Sequence, residues 1–230
     1  MIFTLRQLQE RSIEQHRSLY IVFVNFSKAF DTVDRETLWK VLKMYGCPDV
    51  LITLIRKFHD GMSGRVSIGG DISDPFEVRH GVKQGCVLAP TLFALYLAAV
   101  LEEMSIDLNG GVYIKTRVDG GGLFNLSRLK SEKHTRKSCM RELLYADDSA
   151  LVSNNLQEIQ EITKRFSEAA KLFGLKINVS KTEVLFQEVP GSDTLNSPNA
   201  SVSVDGKERS NYLPLPRKRD FQQCLSGHRS

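Results

Sequence analysis

The chain has 230 residues, 41% of them hydrophobic and 25% charged, with a formal net charge of +4. That composition fits a globular chain with one sizeable core, and its weak positive balance permits a nucleic-acid partner without the strong basic stripe that would announce one. The four cysteines, Cys47, Cys86, Cys139 and Cys224, are far apart and form no C-x-x-C pair, which argues against a zinc site or a disulfide framework and for a reducing compartment. The most apolar stretch, around Leu92 to Leu101, is too short to span a bilayer, and no targeting segment opens the chain. The expectation is a soluble intracellular protein, nuclear or cytoplasmic, with no membrane partner.

In chain order, Leu5 to Arg17 reads as a helix and Leu19-Tyr20-Ile21-Val22-Phe23-Val24 as a strand. This run is rich in β-branched and aromatic residues and lacks polar alternation, so both its faces should be covered, which places it mid-sheet. Arg35 to Tyr45 has apolar residues at helical spacing and is closed by Gly46, and Pro48 opens a second short helix to about His59. Arg65 to Ile68 and Phe76 to Arg79 read as two strands separated by the Gly69-Gly70-Asp71 turn, and a long apolar helix runs from near Pro90 to Met104.

Between Val112 and Arg141, eight cations (Lys115, Arg117, Arg128, Lys130, Lys133, Arg136, Lys137, Arg141) face two acids, Asp119 and Glu132, with glycines at 120, 121 and 122. A flexible basic connector is expected, more simply a solvated loop than a nucleic-acid contact. Leu143 to Val152 is hairpin-like, with Asp147 and Asp148 at its tip, although Ala146-Asp147-Asp148 lacks a turn glycine. An amphipathic helix follows from Leu156 to Phe173, closed by Gly174, and then a strand near Thr182 to Phe186. From Pro190 onward the pattern fails, so residues 1–187 are expected to form the folded domain and residues 188–230 an irregular tail.

Two adjacent carboxylates flanked by apolar strands repel each other and resist burial, and a divalent cation relieves both penalties. Taken alone, such a pair is more simply an exposed turn. Its setting changes that reading. Tyr145-Ala146-Asp147-Asp148 resembles the Y-x-D-D box of reverse transcriptases, and three further blocks stand in the order that family requires. The segment Phe23 to Arg35, with Asn25, Phe30 and Asp31, resembles the first palm block, which usually carries Asp where Asn25 stands. Gly81-Val82-Lys83-Gln84-Gly85 through Pro90 resembles the second block, and Gly174 to Thr182 the fourth. The wording is that of non-LTR, LINE-type retrotransposons.

The resemblance implies an α+β fold, a right-hand polymerase palm in which helices back an antiparallel sheet and the Asn25 strand lies beside the Tyr145–Asp148 hairpin. It implies RNA-directed DNA polymerase ancestry: two-metal nucleotidyl transfer from a dNTP to a DNA primer 3′-hydroxyl on an RNA template, with Mg²⁺ (or Mn²⁺). Asp147, Asp148 and the Asn25 position are then metal-binding. Phe30 stacks beneath the incoming sugar, Gln84 and Gly85 lie against the nascent base pair, Tyr145 adjoins substrate, and Lys181 attends the leaving pyrophosphate. Against the family pattern, fingers remain only as remnants, no thumb follows, and Val202 to Lys207 starts like a primer-grip hairpin before departing from it. An amide at position 25 supplies one neutral oxygen instead of a carboxylate, so this truncated copy is expected to be catalytically impaired. The alternative is a non-catalytic relic that at most binds nucleic acid.

Overall fold

The computed structural model describes residues 1–106, 108, 110–117, 135–188 and 201–209. They fall into two compact units, one built from Met1–Val24, Leu108–Lys164 and Val179–Ser230, the other from Asn25–Asp107 and Arg165–Asn178.

The first unit is organised on the strand that the sequence places mid-sheet. β1 (Leu19–Val24) is flanked by β9 (Asp148–Ser153) and β10 (Glu183–Gln187), with β8 (Glu142–Tyr145) outside β9, in an antiparallel four-stranded order β10-β1-β9-β8. Ile21 lies opposite Val152 on one side and Leu185 on the other. With side chains alternating across a pleat, Leu19, Ile21, Ala150, Val152 and Leu185 line one face. Helix α1 (Ile2–Glu14) packs Leu5 and Leu8 into that face, both no more than 1% exposed. Each such buried leucine contributes roughly 1.5–3 kcal/mol. Tyr20 and Phe186, directly opposite in register, stack with ring centroids 4.6 Å apart.

β6 (Val112–Arg117) and β7 (Thr135–Met140) form a six-pair antiparallel ribbon where the sequence is expected to give a flexible connector. The reason is apolar alternation beneath the charge: Val112 joins the α1-covered core, and Ile114 and Met140 pack against it. Residues 118–134, between the two strands, lie outside the described residues. A second departure is β11 (Val202–Val204), paired with β12 (Lys207–Arg209) around Asp205-Gly206. Val202 and Val204 are buried, and the Gln160 side chain holds Ser203 through both its amide groups. The irregular reading of 188–230 therefore fails at these residues, and its remainder from Val189 on lies outside the described residues.

In the second unit, α2 (Arg35–Met44) is capped by Asp34, whose carboxylate accepts from Thr37 N at 2.8 Å, and it ends ahead of Gly46 at φ +79°. α3 (Asp49–Lys57) follows Pro48, and α4 (Ala89–Ser105) carries its proline in the first turn, where the missing N–H is harmless. The strands expected at 65–68 and 76–79 are instead two short nested ladders: β2 (Ser63–Gly64) with β5 (Phe76–Glu77), and β3 (Ser67–Ile68) with β4 (Asp71–Ile72) around the Gly69-Gly70 turn. α5 (Leu156–Leu172) begins in the first unit and ends in the second, where Phe173 O accepts from the Tyr96 hydroxyl. Burial pushes the pKa of that hydroxyl up to about 12. Among the described residues no helix is long and apolar enough to cross a membrane.

Candidate active site

The acidic pair sits where β8 turns into β9. Tyr145 pairs with Asp148, leaving Ala146-Asp147 as a two-residue loop. Ala146 takes φ +54°, a left-handed conformation that costs a residue with a Cβ about 1–2 kcal/mol and that hairpins usually assign to glycine. Asp147 and Asp148 are half-buried at this bend, whereas Tyr145 is 68% exposed. The next residue, Ser149, is opposite Val24, the last residue of β1.

β10 starts at the same end of the sheet, with Glu183 opposite Phe23. Lys181, exposed at the end of the 3₁₀ turn Val179–Lys181, precedes it by two residues. One end of the first unit's sheet therefore gathers Asp147, Asp148 and Lys181, on strands that flank β1 and are roughly 10 Å apart at the usual interstrand spacing.

The other sequence-predicted residues belong to the second unit. Asn25, half-buried, follows Val24 directly, and its carbonyl accepts from Asn178 N at 2.7 Å. Phe26 bridges Ile177 and stacks on Phe166 with ring centroids 5.8 Å apart, so the first and fourth sequence blocks are laced together. Phe30 stacks on Phe93 of α4 at 4.7 Å.

The Gly81–Gly85 loop is fastened to the Phe30 turn. Val82 N donates to Phe30 O and Gly81 N to Val33 O, each at 2.8 Å, and the Gln84 amide donates to Asp31 Oδ1 at 3.4 Å. Phe30, Gln84 and Gly85 are thus brought into one neighbourhood. Gly85 has φ +81° and open space where a Cβ would be.

Two residues here escape sequence reasoning as individuals. A Cβ on Gly81, at φ +82°, would lie 2.7 Å from Asp31 O, so glycine is required both for its backbone angle and for close approach. Arg35 donates to Gly81 O and His59 O, each at 2.9 Å, and to His80 O at 3.3 Å. It pins the second block to the start of α2. Its partners are 24 to 46 positions away, so only the arginine type, five donors in a fixed fork, hints at the role.

The donor set limits what a cation could find. Among the described residues no group of three or more His, Cys, Asp or Glu side chains could hold a metal ion. Asp147 and Asp148 offer two adjacent carboxylates. These residues fit weak binding of one divalent ion and fall short of a tight pair of sites.

The sequence profile of the family described as reverse transcriptase (RNA-dependent DNA polymerase) matches residues 2–214. Among curated relatives, the Pol polyprotein of the type-2 retrotransposable element R2DM from Drosophila melanogaster is 26% identical over 181 residues, covering 77% of this chain and 15% of its own length. An uncharacterized 149 kDa protein of transposon TX1 from Xenopus laevis is 24% identical over 208 residues, 90% of this chain and 14% of its own. The chain thus spans about a seventh of the length of these curated relatives. Both relatives are non-LTR retrotransposon products, the class that the sequence blocks resemble. Among solved structures, apo telomerase from Candida tropicalis superposes with a TM-score of 0.54 at 14% identity, covering 90% of this chain and 37% of that one. Telomerase of the same organism bound to a fragment of telomeric RNA gives 0.53 at 13% identity, covering 91% and 31%. This likeness establishes a polymerase palm-like fold.

Proposed function

Because the chain belongs to the reverse transcriptase (RNA-dependent DNA polymerase) family, we propose that it is the palm of an RNA-directed DNA polymerase whose nucleotidyl transfer is impaired in this copy by Asn25. The observation that carries the reading is the β1–β9 register: Val24, next to Asn25, pairs with Ser149, next to Asp148.

In this reading Asp147 and Asp148 hold the divalent cation, Mg²⁺ or Mn²⁺, and position 25 is where a third carboxylate is lost. The cation, when bound, supplies positive charge to the attacking primer oxygen and the departing pyrophosphate. The chain's own residues do the positioning. Phe30, braced on Phe93, lies beneath the dNTP sugar. Gln84 and Gly85 lie along the nascent pair of template RNA and incoming nucleotide, where the bare glycine backbone permits close approach. Tyr145 adjoins the primer end, and Lys181 neutralises or protonates the leaving pyrophosphate.

The amide at position 25 removes one formal charge from beneath the reacting phosphate. Losing even an indirect metal contact costs roughly 10- to 100-fold, and losing a direct ligand costs more. A second reading, a non-catalytic retroelement relic that at most binds nucleic acid, is favoured by that same amide and by the lack of a three-ligand group among the described residues. Primer extension on a primed RNA template, with dNTPs and either Mg²⁺ or Mn²⁺, tests the proposal. The unmodified chain should give no extension, and robust extension would show that Asn25 is not disabling.

A further inference from the structure

Helix α3 is apolar around more of its circumference than the second unit covers. Successive helical residues are set about 100° apart. On α3, with Phe58 continuing its helical backbone, the apolar side chains span roughly 200° of the wheel, about twice the arc that a surface helix needs. Ile52 and Ile55 are buried. The other half of the arc faces solvent: Val50 is 84% exposed, Phe58 66%, Leu54 52% and Leu51 46%. Spaced three and four apart, these four side chains form one continuous stripe.

The stripe opens on the order of 400 Å² of apolar surface, the size at which such a patch marks an interaction site. Beside it, the Lys43–Asp49 ion pair at 3.3 Å holds the end of α2 against the start of α3, where Met44 adds another exposed apolar side chain. The polar border of the stripe is Asp49, Thr53 and Lys57, all exposed and four residues apart, with an acid at one end of the helix and a base at the other. Lys43 engages only Oδ1 of Asp49, whose side chain is 77% exposed, so Oδ2 remains open to a second cation.

We propose that the stripe binds a second copy of this chain, α3 against α3 in antiparallel sense about a twofold axis at Leu54. That symmetry sets Leu54 against its own copy and Val50 against Phe58. It also keeps the two polar borders on the same side and brings Lys57 of each copy within about 3 Å, along the helix axis, of Asp49 of the other. A parallel arrangement would place the borders on opposite sides, and a surface of uniform charge would match only one end. Two stripes bury about 800 Å², and Met44, Thr53 and Lys57 extend the contact toward the roughly 1,200 Å² at which specific association begins, which is what a weak dimer needs. The surface goes beyond the polymerase reading and uses none of its residues.

Sedimentation equilibrium of the full chain from about 5 to 200 µM tests this. The unmodified chain should pass from monomer to dimer with a Kd of about 10–100 µM. Leu54→Glu sets two carboxylates against each other at the axis and should leave the chain monomeric throughout, with an unaltered melting temperature at low concentration. Asp49→Lys and Lys57→Glu, each alone, oppose like charges at both ends and should weaken the dimer about tenfold. An equimolar mixture of those two variants makes both pairs opposite again and should regain the parent's affinity. A chain monomeric at about 200 µM would overturn the proposal and leave the stripe to a different partner. A dimer that Leu54→Glu leaves intact, or a mixture no tighter than its components, would overturn it as well. Because no extension reaction is read, these outcomes are independent of the catalytic status of Asn25.

Discussion

Ala146 and Gly81 are two backbone positions with opposite fates in the same fold. Ala146 carries a Cβ at φ +54° in the two-residue loop of the acidic hairpin, and strain of this kind gathers at functional sites. Ala146→Gly should therefore stabilise the chain by about 0.5–1 kcal/mol, the relief of left-handed strain less glycine's extra unfolded-state entropy; chemical denaturation reads the difference, and a loss of stability would contradict the assigned turn. Gly81→Ala should cost about 2–4 kcal/mol, because the new Cβ would press on the Asp31 backbone. A melting curve matching that of the unmodified chain would refute the close approach. At this scale the sequence is legible where residue type declares chemistry. Asp147 and Asp148 announce themselves as a carboxylate pair, and Asn25 as an amide where an acid is expected. It is illegible where the chemistry depends on a distant partner, as with Arg35, whose guanidinium serves carbonyls that no local pattern connects to it.

Helices and long strands are foreseeable because their periodicities are local. β1 begins and ends where its apolar run does, and α2 starts at the residue after its capping Asp34. That cap is testable. The hydrogen bond from Thr37 holds the Asp34 carboxyl below its ordinary range. A depressed folded-state pKa contributes stability that is present above the unfolded value, about 4, and is lost as pH falls through the folded value. Asp34→Ala should cost about 1 kcal/mol near neutral pH, with the gap between variant and parent closing as pH drops below about 4. A gap that persists at about pH 2 would mean that the carboxylate is not the stabilising group. The β6–β7 ribbon is hidden in the sequence because its cations dominate the composition while its core contribution rests on Val112, Ile114 and Met140. The charges mask a period-two signal. The β11–β12 hairpin is hidden for another reason: three-residue strands around Asp205-Gly206 are too short to stand out from polar surroundings, and their burial depends on α5, whose Gln160 bonds Ser203 on both sides.

For the molecule as a whole, family and fold are legible because four sequence blocks in fixed order are improbable together, and the profile match over residues 2–214 and the telomerase superpositions agree with them. Activity is not legible in the same way, because a family is inherited through many residues while catalysis can be lost through one. Whether this copy is impaired turns on whether position 25 belongs to the acidic site. Titration calorimetry of Mn²⁺ into the unmodified chain and into Asn25→Asp addresses that without requiring primer, template or turnover. If position 25 serves the acidic pair as proposed, a carboxylate there should tighten Mn²⁺ binding by about tenfold or more; equal affinity in the two proteins would show that position 25 is not a ligand position and would remove the basis for calling this copy impaired.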